Sequence, residues 1–129
     1  MVANEKKSLE YFFKKGPMRN DRLNVSSIKV YADGALGSRG AALKKSYSDK
    51  KNHYGSIIIS IDSIKKLAIK ALNHGFQMNT HAIGDYANSE VLKIYNSILS
   101  NKSDPRWRIE LDYERLTSKS EMGDRKSVV

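Results

Sequence analysis

Residues 76–85, Phe76-Gln77-Met78-Asn79-Thr80-His81-Ala82-Ile83-Gly84-Asp85, carry the reading that decides the fold. Phe76, Met78 and Thr80 alternate with Gln77, Asn79 and His81, the period of two that marks a strand with unlike faces. Ala82-Ile83-Gly84 then makes a tight turn, and Asp85 stands where an N-cap is wanted for the segment behind it. In that segment Ala87, Val91, Ile94, Tyr95 and Ile98 recur at helical spacing. Ser103-Asp104-Pro105 ends the pattern, and Arg106-Trp107-Arg108-Ile109-Glu110 opens a further strand. Upstream, Ile64, Leu67, Ala68, Ala71 and Leu72 form another amphipathic helix. Ser60 or Asp62 caps its start, and Gly75 lies at the C′ position where glycine ends helices.

Working back to residues 26–32, Ile28, Val30 and Ala32 share one strand face while Lys29 and Tyr31 take the other. Strand, helix, strand, helix, strand with short connections implies a parallel α/β arrangement. Interior strands of a doubly wound sheet are apolar on both faces. Here Lys29, Tyr31, Gln77, Asn79 and His81 put polar groups on one face of two successive strands. A closed βα barrel accounts for this better, because one strand face looks inward and the C-terminal mouth holds the chemistry. The expected fold is therefore α/β, with a βα barrel favoured over an open sheet. Residues 1–24 form a lead-in in which Leu9, Phe12 and Phe13 make one apolar stripe before Gly16-Pro17.

Composition narrows the function classes. No apolar run among the 129 residues approaches the roughly 20 needed for a membrane span. The segment after Met1 is charged throughout and lacks the apolar core of a signal peptide. The absence of cysteine removes disulfides, thiolate zinc sites and thiol nucleophiles, and leaves the compartment undetermined. A net charge of +9 raises the question of nucleic acid. The basic residues come as scattered pairs such as Lys6-Lys7 and Lys65-Lys66, without aromatic interleaving, so no nucleic-acid partner is expected.

Gly34, Gly37 and Gly40 follow a strand but lack the Gly-Lys-Ser/Thr ending of a phosphate loop. They read as a permissive strand-end loop. His53 lies in a polar loop and His74 at a helix C-terminus, both structural settings. His81 ends a strand, the catalytic position of a βα barrel. Lys29 on an inward face is costly to bury unless paired or modified; an edge lysine reaching solvent is the alternative.

Together these segments resemble the amidohydrolase 3 family. Ile28 to Leu43 is similar to its "K-x-Y/F-x-D-G-A/S-L-G-S-R-x-A" block, and Tyr47-Ser48-Asp49 to the following "PYSD", with Ser46 in place of proline. Thr80 to Asn88 resembles "HAIGDRAN", with Tyr86 where arginine is usual, and Arg106 to Glu110 the start of "RWRIEHAQ". The resemblance implies a partial (β/α)8 TIM-type barrel spanning 25–110, about strands four to six, and a metal-dependent hydrolase of amide or related non-peptide C–N bonds. It makes His81 and Lys29 metal ligands, Lys29 as a carboxylated, bridging lysine. It implies one or two divalent ions, zinc foremost, and a small-molecule amide-type substrate. Asp33 and Arg39, in the loop after the fourth strand, either touch substrate or stabilise turns.

Two departures stand out. Leu111 occupies the place of the sixth-strand histidine ligand, and the first-strand His-x-His pair and eighth-strand aspartate lie outside the chain. A catalytic zinc site takes about three protein ligands, so this chain is expected to be an inactive fragment, its true N-terminus upstream. Residues 111–129 match nothing in the family pattern, and 124–129 resemble a translated sequencing adapter; they are expected to be a non-family tail of sequencing or assembly origin. A small, basic, non-catalytic binding module derived from half a barrel is the alternative.

Overall fold

The computed structural model describes residues 1–110. Four strands, β1 (Val2–Ala3), β4 (Ser27–Tyr31), β5 (Gln77–His81) and β6 (Arg108–Glu110), form one sheet in the order β1-β4-β5-β6. Every neighbouring pair in it is parallel. A separate antiparallel hairpin joins β2 (Met18–Arg19) to β3 (Asn24–Val25). The Asn20 side chain holds its turn by accepting from the Arg22 and Leu23 amides. The three helices are α1 (Lys6–Lys15), α2 (Ile61–Asn73) and α3 (Asp85–Leu99). The tail assigned to residues 111–129 lies outside the described residues.

The expected alternation sets the layers. Ile28, Val30, Met78 and Thr80 are essentially sealed from solvent. They meet Ile64, Ala68 and Ala71 of α2 and Ala87, Val91 and Tyr95 of α3 in one core. Crossovers from each strand to its next neighbour in a single direction place both helices on the same sheet face, given the right-handed rule, and α2 and α3 pack together there. Phe13 from α1 joins the core edge-to-face against Phe76. Tyr95 does the same with Trp107, which anchors the approach to β6.

Helix ends are fixed by identifiable partners. Of the two candidates at α2, Ser60 is the cap, its Oγ accepting from the Ser63 amide. At the other end Gly75 adopts φ +75°. Its amide reaches Leu72 O and the Phe76 amide reaches Ala71 O, the paired bonds of a Schellman ending. The expectation for α3 is corrected. Gly84 takes the N-cap position, without a side chain to use. The carbonyl of Ala42, from the loop before α2, accepts instead from the Tyr86 and Ala87 amides at 3.1 and 3.4 Å. Asp85 is the first helical residue, and its carboxylate accepts from the Lys44 amide at 2.8 Å.

Candidate functional site

The sheet face away from the helices is polar, and strand register arranges it in ranks. Parallel pairing aligns Tyr31 with His81 and His81 with Glu110; one step back along the strands it aligns Lys29 with Asn79 and Asn79 with Arg108. Side chains two apart on a strand share a face, so Lys29, Tyr31, Asn79, His81, Arg108 and Glu110 all lie on one side. Lys29 and His81, the two expected ligands, therefore share a face, His81 at the C-terminal end of β5 and Lys29 one rank below it.

The contacts across these ranks are specific. The Lys29 ammonium forms an ion pair with Glu110 Oε2 and stands 5.2 Å from the Tyr31 ring centroid. The Tyr31 and His81 rings stack at a tilt, 5.2 Å between centroids. Lys29 is thus paired within the described face instead of being an edge lysine free in solvent. Asn79 is buried, with Nδ2 near Ser27 Oγ and Met1 Sδ. Its Oδ1 has no partner among the described residues, which in a buried amide leaves an acceptor wanting a donor. Below this rank a cavity of about 330 Å³ is lined by Arg19, Arg106, Arg108, Gln77, Asn79 and Glu110 among others.

Asp33 is completely buried. Its Oδ1 accepts from the Ile83 amide, and its Oδ2 from the Ala42 and Gly84 amides, at 2.8–2.9 Å. Of the two roles open to it, this is the place of a turn clamp. Arg39 is exposed, in a left-handed conformation at φ 57°. Its Nε and Nη2 both donate to Asp49 Oδ2, at 3.1 and 2.8 Å. That hydrogen bond, reinforced by charge attraction, raises the pKa of Arg39 and holds the Asp49 carboxyl below its ordinary range. His53 bonds Arg39 O, and His74 bonds Lys70 O at the end of α2; both are in structural settings.

Glu110 is the residue that sequence reasoning passed over. Alternation puts it on the face of Arg108, two positions away, but only the parallel register with β5 brings it beside His81. His81 and Glu110 offer imidazole and carboxylate donors, and Lys29 becomes a donor only on losing its positive charge. Among the described residues no three His, Cys, Asp or Glu side chains converge into a metal-holding group. His81 and Glu110 by themselves fall short of such a group.

The family model for the amidohydrolase family matches residues 2–126. The chain belongs to the amidohydrolase family. The match begins well before residue 25 and runs past Glu110 into the segment expected to be a tail. Among curated relatives, Protein LONG AFTER FAR-RED 3 of Arabidopsis thaliana is 33% identical over 104 residues, covering 79% of this chain and 18% of the relative. Putative amidohydrolase YtcJ of Bacillus subtilis is 39% identical over 70 residues, 54% of this chain and 13% of the relative. This amidohydrolase chain thus spans less than a fifth of the length of the curated relatives it matches. Two solved structures described as uncharacterized metal-dependent hydrolases are similar to it. The one from Pyrococcus furiosus has TM-score 0.67 at 28% identity, covering 71% of this chain and 20% of its own. The one from Pyrococcus horikoshii OT3 has TM-score 0.62 at 25% identity, covering 74% and 25%. Among the described residues no helix is long and apolar enough to cross a membrane.

Proposed function

We propose that this chain supplies one wall of the metal centre of a hydrolase that cleaves amide or related non-peptide C–N bonds of a small molecule. In this reading its parallel sheet is an arc of a (β/α)8 barrel, β4 to β6 being the fourth to sixth barrel strands. The observation that carries it is the shared polar face of His81 and Glu110, at the strands' C-terminal end, and Lys29, one rank below and ion-paired to Glu110. The likeness to metal-dependent hydrolases supports a divalent ion, and the imidazole and carboxylate donors suit zinc. Such an ion, when bound, lowers the pKa of water and polarises the scissile carbonyl.

The chain's own residues have defined tasks in this reading. His81 presents a ring nitrogen, with the Tyr31 ring against it limiting its orientation. Lys29 is held as an ammonium by Glu110. Carboxylation of Nζ, in which the deprotonated amine adds carbon dioxide and releases a proton to solvent, would replace that positive charge with a negative one and turn an attraction into a repulsion. His81 and the modified Lys29 would then hold a divalent ion whose charge offsets that repulsion. The described strands supply too few donors for a catalytic site, so in this reading the chain alone is inactive, and the remaining donors come from polypeptide of the relatives' length.

The test compares this chain with a polypeptide of the relatives' length containing it, each supplied with zinc and bicarbonate and given a panel of N-acyl and cyclic amides. The longer protein is expected to hydrolyse a member of the panel and to lose at least about a hundredfold of that rate on His81→Ala. The isolated chain is expected to show none. Full activity in the His81→Ala protein would refute the reading.

A further inference from the structure

Asp33 lies two residues beyond Tyr31, and Ile83 and Gly84 lie two and three beyond His81. Tyr31 and His81 are register partners at the ends of β4 and β5. The Asp33 carboxylate therefore ties the two strands together just past the rank that carries His81, joining residues 51 positions apart in sequence. A buried carboxylate needs donors to offset its lost hydration, and it has three: the amides of Ala42, Ile83 and Gly84.

The tie extends further. Ala42 gives its amide to Asp33 and its carbonyl to the first turn of α3, through Tyr86 and Ala87. Asp85 takes the Lys44 amide. A Cβ on Gly84 would overlap Ala42 O, so the two backbones are as close as a glycine allows. The path from His81 into α3 is thus bonded mainly to residues 33–44, and His81 itself is bounded on β5 by the ladder and on its ring by Tyr31.

We propose that Asp33 is a positioning residue for His81, and that the 33–44 loop and the His81 ring hold their places as one unit. The inference gives a metal-centre meaning to His81 only through the reading above. Its test reads ring placement without metal or substrate, so the two fail separately.

The experiment is NMR on the 129-residue chain. In the wild type, the Ala42, Ile83 and Gly84 amides are expected to exchange slowly and at similar rates, with a ring–ring cross-peak joining Tyr31 and His81. Asp33→Asn can offer only one carbonyl oxygen to the three amides. Exchange at Ile83 or Gly84 should then quicken by at least about tenfold, the loss of one bond to a charged acceptor. The Tyr31–His81 cross-peak should fade while the Tyr95–Trp107 cross-peak, remote from the clamp, persists. Three results would overturn the proposal. One is a variant that keeps the Tyr31–His81 cross-peak despite faster exchange. Another is a variant that loses both ring contacts together, which makes Asp33 a global fold determinant. The third needs no variant: unprotected Ile83 and Gly84 amides in the wild type.

Discussion

Lys29 and Glu110 meet across the strand that separates them. They belong to β4 and β6, which flank β5 on either side, so their strands run about two spacings, roughly 9.6 Å, apart, and Glu110 lies a further two residues along from the position level with Lys29. Both side chains lean over β5 to close their ion pair. The pair links β4 to β6 on the polar face without any backbone bond between them.

Its worth should be modest but measurable. The side chains keep 18% and 32% of their exposure, so water screens the attraction and also receives whichever partner is left alone. A double-mutant cycle with Lys29→Met and Glu110→Gln, read from urea unfolding, is expected to give a coupling of about 0.5–1 kcal/mol. A coupling indistinguishable from zero would mean the two groups do not hold each other in solution.

Gly84 and Gly37 should respond oppositely to alanine. A methyl at Gly84 overlaps the Ala42 carbonyl, backbone against backbone, whereas one at Gly37 meets nothing within 4 Å. Gly84→Ala is expected to cost about 3 kcal/mol or more, because relief requires separating the loop from the start of α3. Gly37→Ala should stay within about 0.5 kcal/mol of wild type. Thermal unfolding of the two variants, side by side, checks this.

The contrast between these glycines shows what was legible in the sequence. The alternation of Ile28 and Val30 with Lys29 and Tyr31 is local, and it identifies both faces of β4. The helical stripes of α2 and α3 were legible for the same reason. The cap of α3 was not, since its acceptor is a backbone carbonyl more than 40 residues upstream, leaving no side-chain signature at Gly84. Two-residue β1 is too short to show a period, and exists through its pairing with β4. Asp33 could be placed near the site by its loop, but its burial depends on three amides brought in by tertiary folding. Glu110 needed the register between β5 and β6, which alternation within one strand does not supply.

The Arg39–Asp49 contact makes an acid-sensitive link in the loop. The hydrogen bond from Arg39 is the main cause of the lowered Asp49 pKa, with desolvation partly opposing it. A depressed folded pKa means that the link's contribution is present above the unfolded carboxyl value of about 3.9 and is lost as pH falls through the lower folded value. Arg39→Gln is expected to return the Asp49 carboxyl towards its ordinary range, read from its carboxyl ¹³C shift against pH. No movement of that titration would show that the contact is absent in solution.

Tyr95 gives the corresponding test in base. Its ring is buried against Trp107, and its hydroxyl shares a 2.7 Å hydrogen bond with Thr80 Oγ1. Burial is the largest cause of a pKa raised well above the ordinary phenol value; the Thr80 bond opposes it, and the charge of Glu110 adds to it. With the folded value above the unfolded value of about 10, the native state keeps a proton that the unfolded chain has lost. Stability is therefore whole below about pH 10 and falls as pH rises towards the folded value. Tyr95→Phe removes this titration, so its stability should decline less steeply above pH 10 than that of wild type. At neutral pH the same variant should cost about 1 kcal/mol, because Thr80 loses its partner in the core. Urea unfolding at a series of alkaline pH values measures both effects, and parallel base limbs for the two proteins would show that the phenol ionises as freely in the folded state as in the unfolded one.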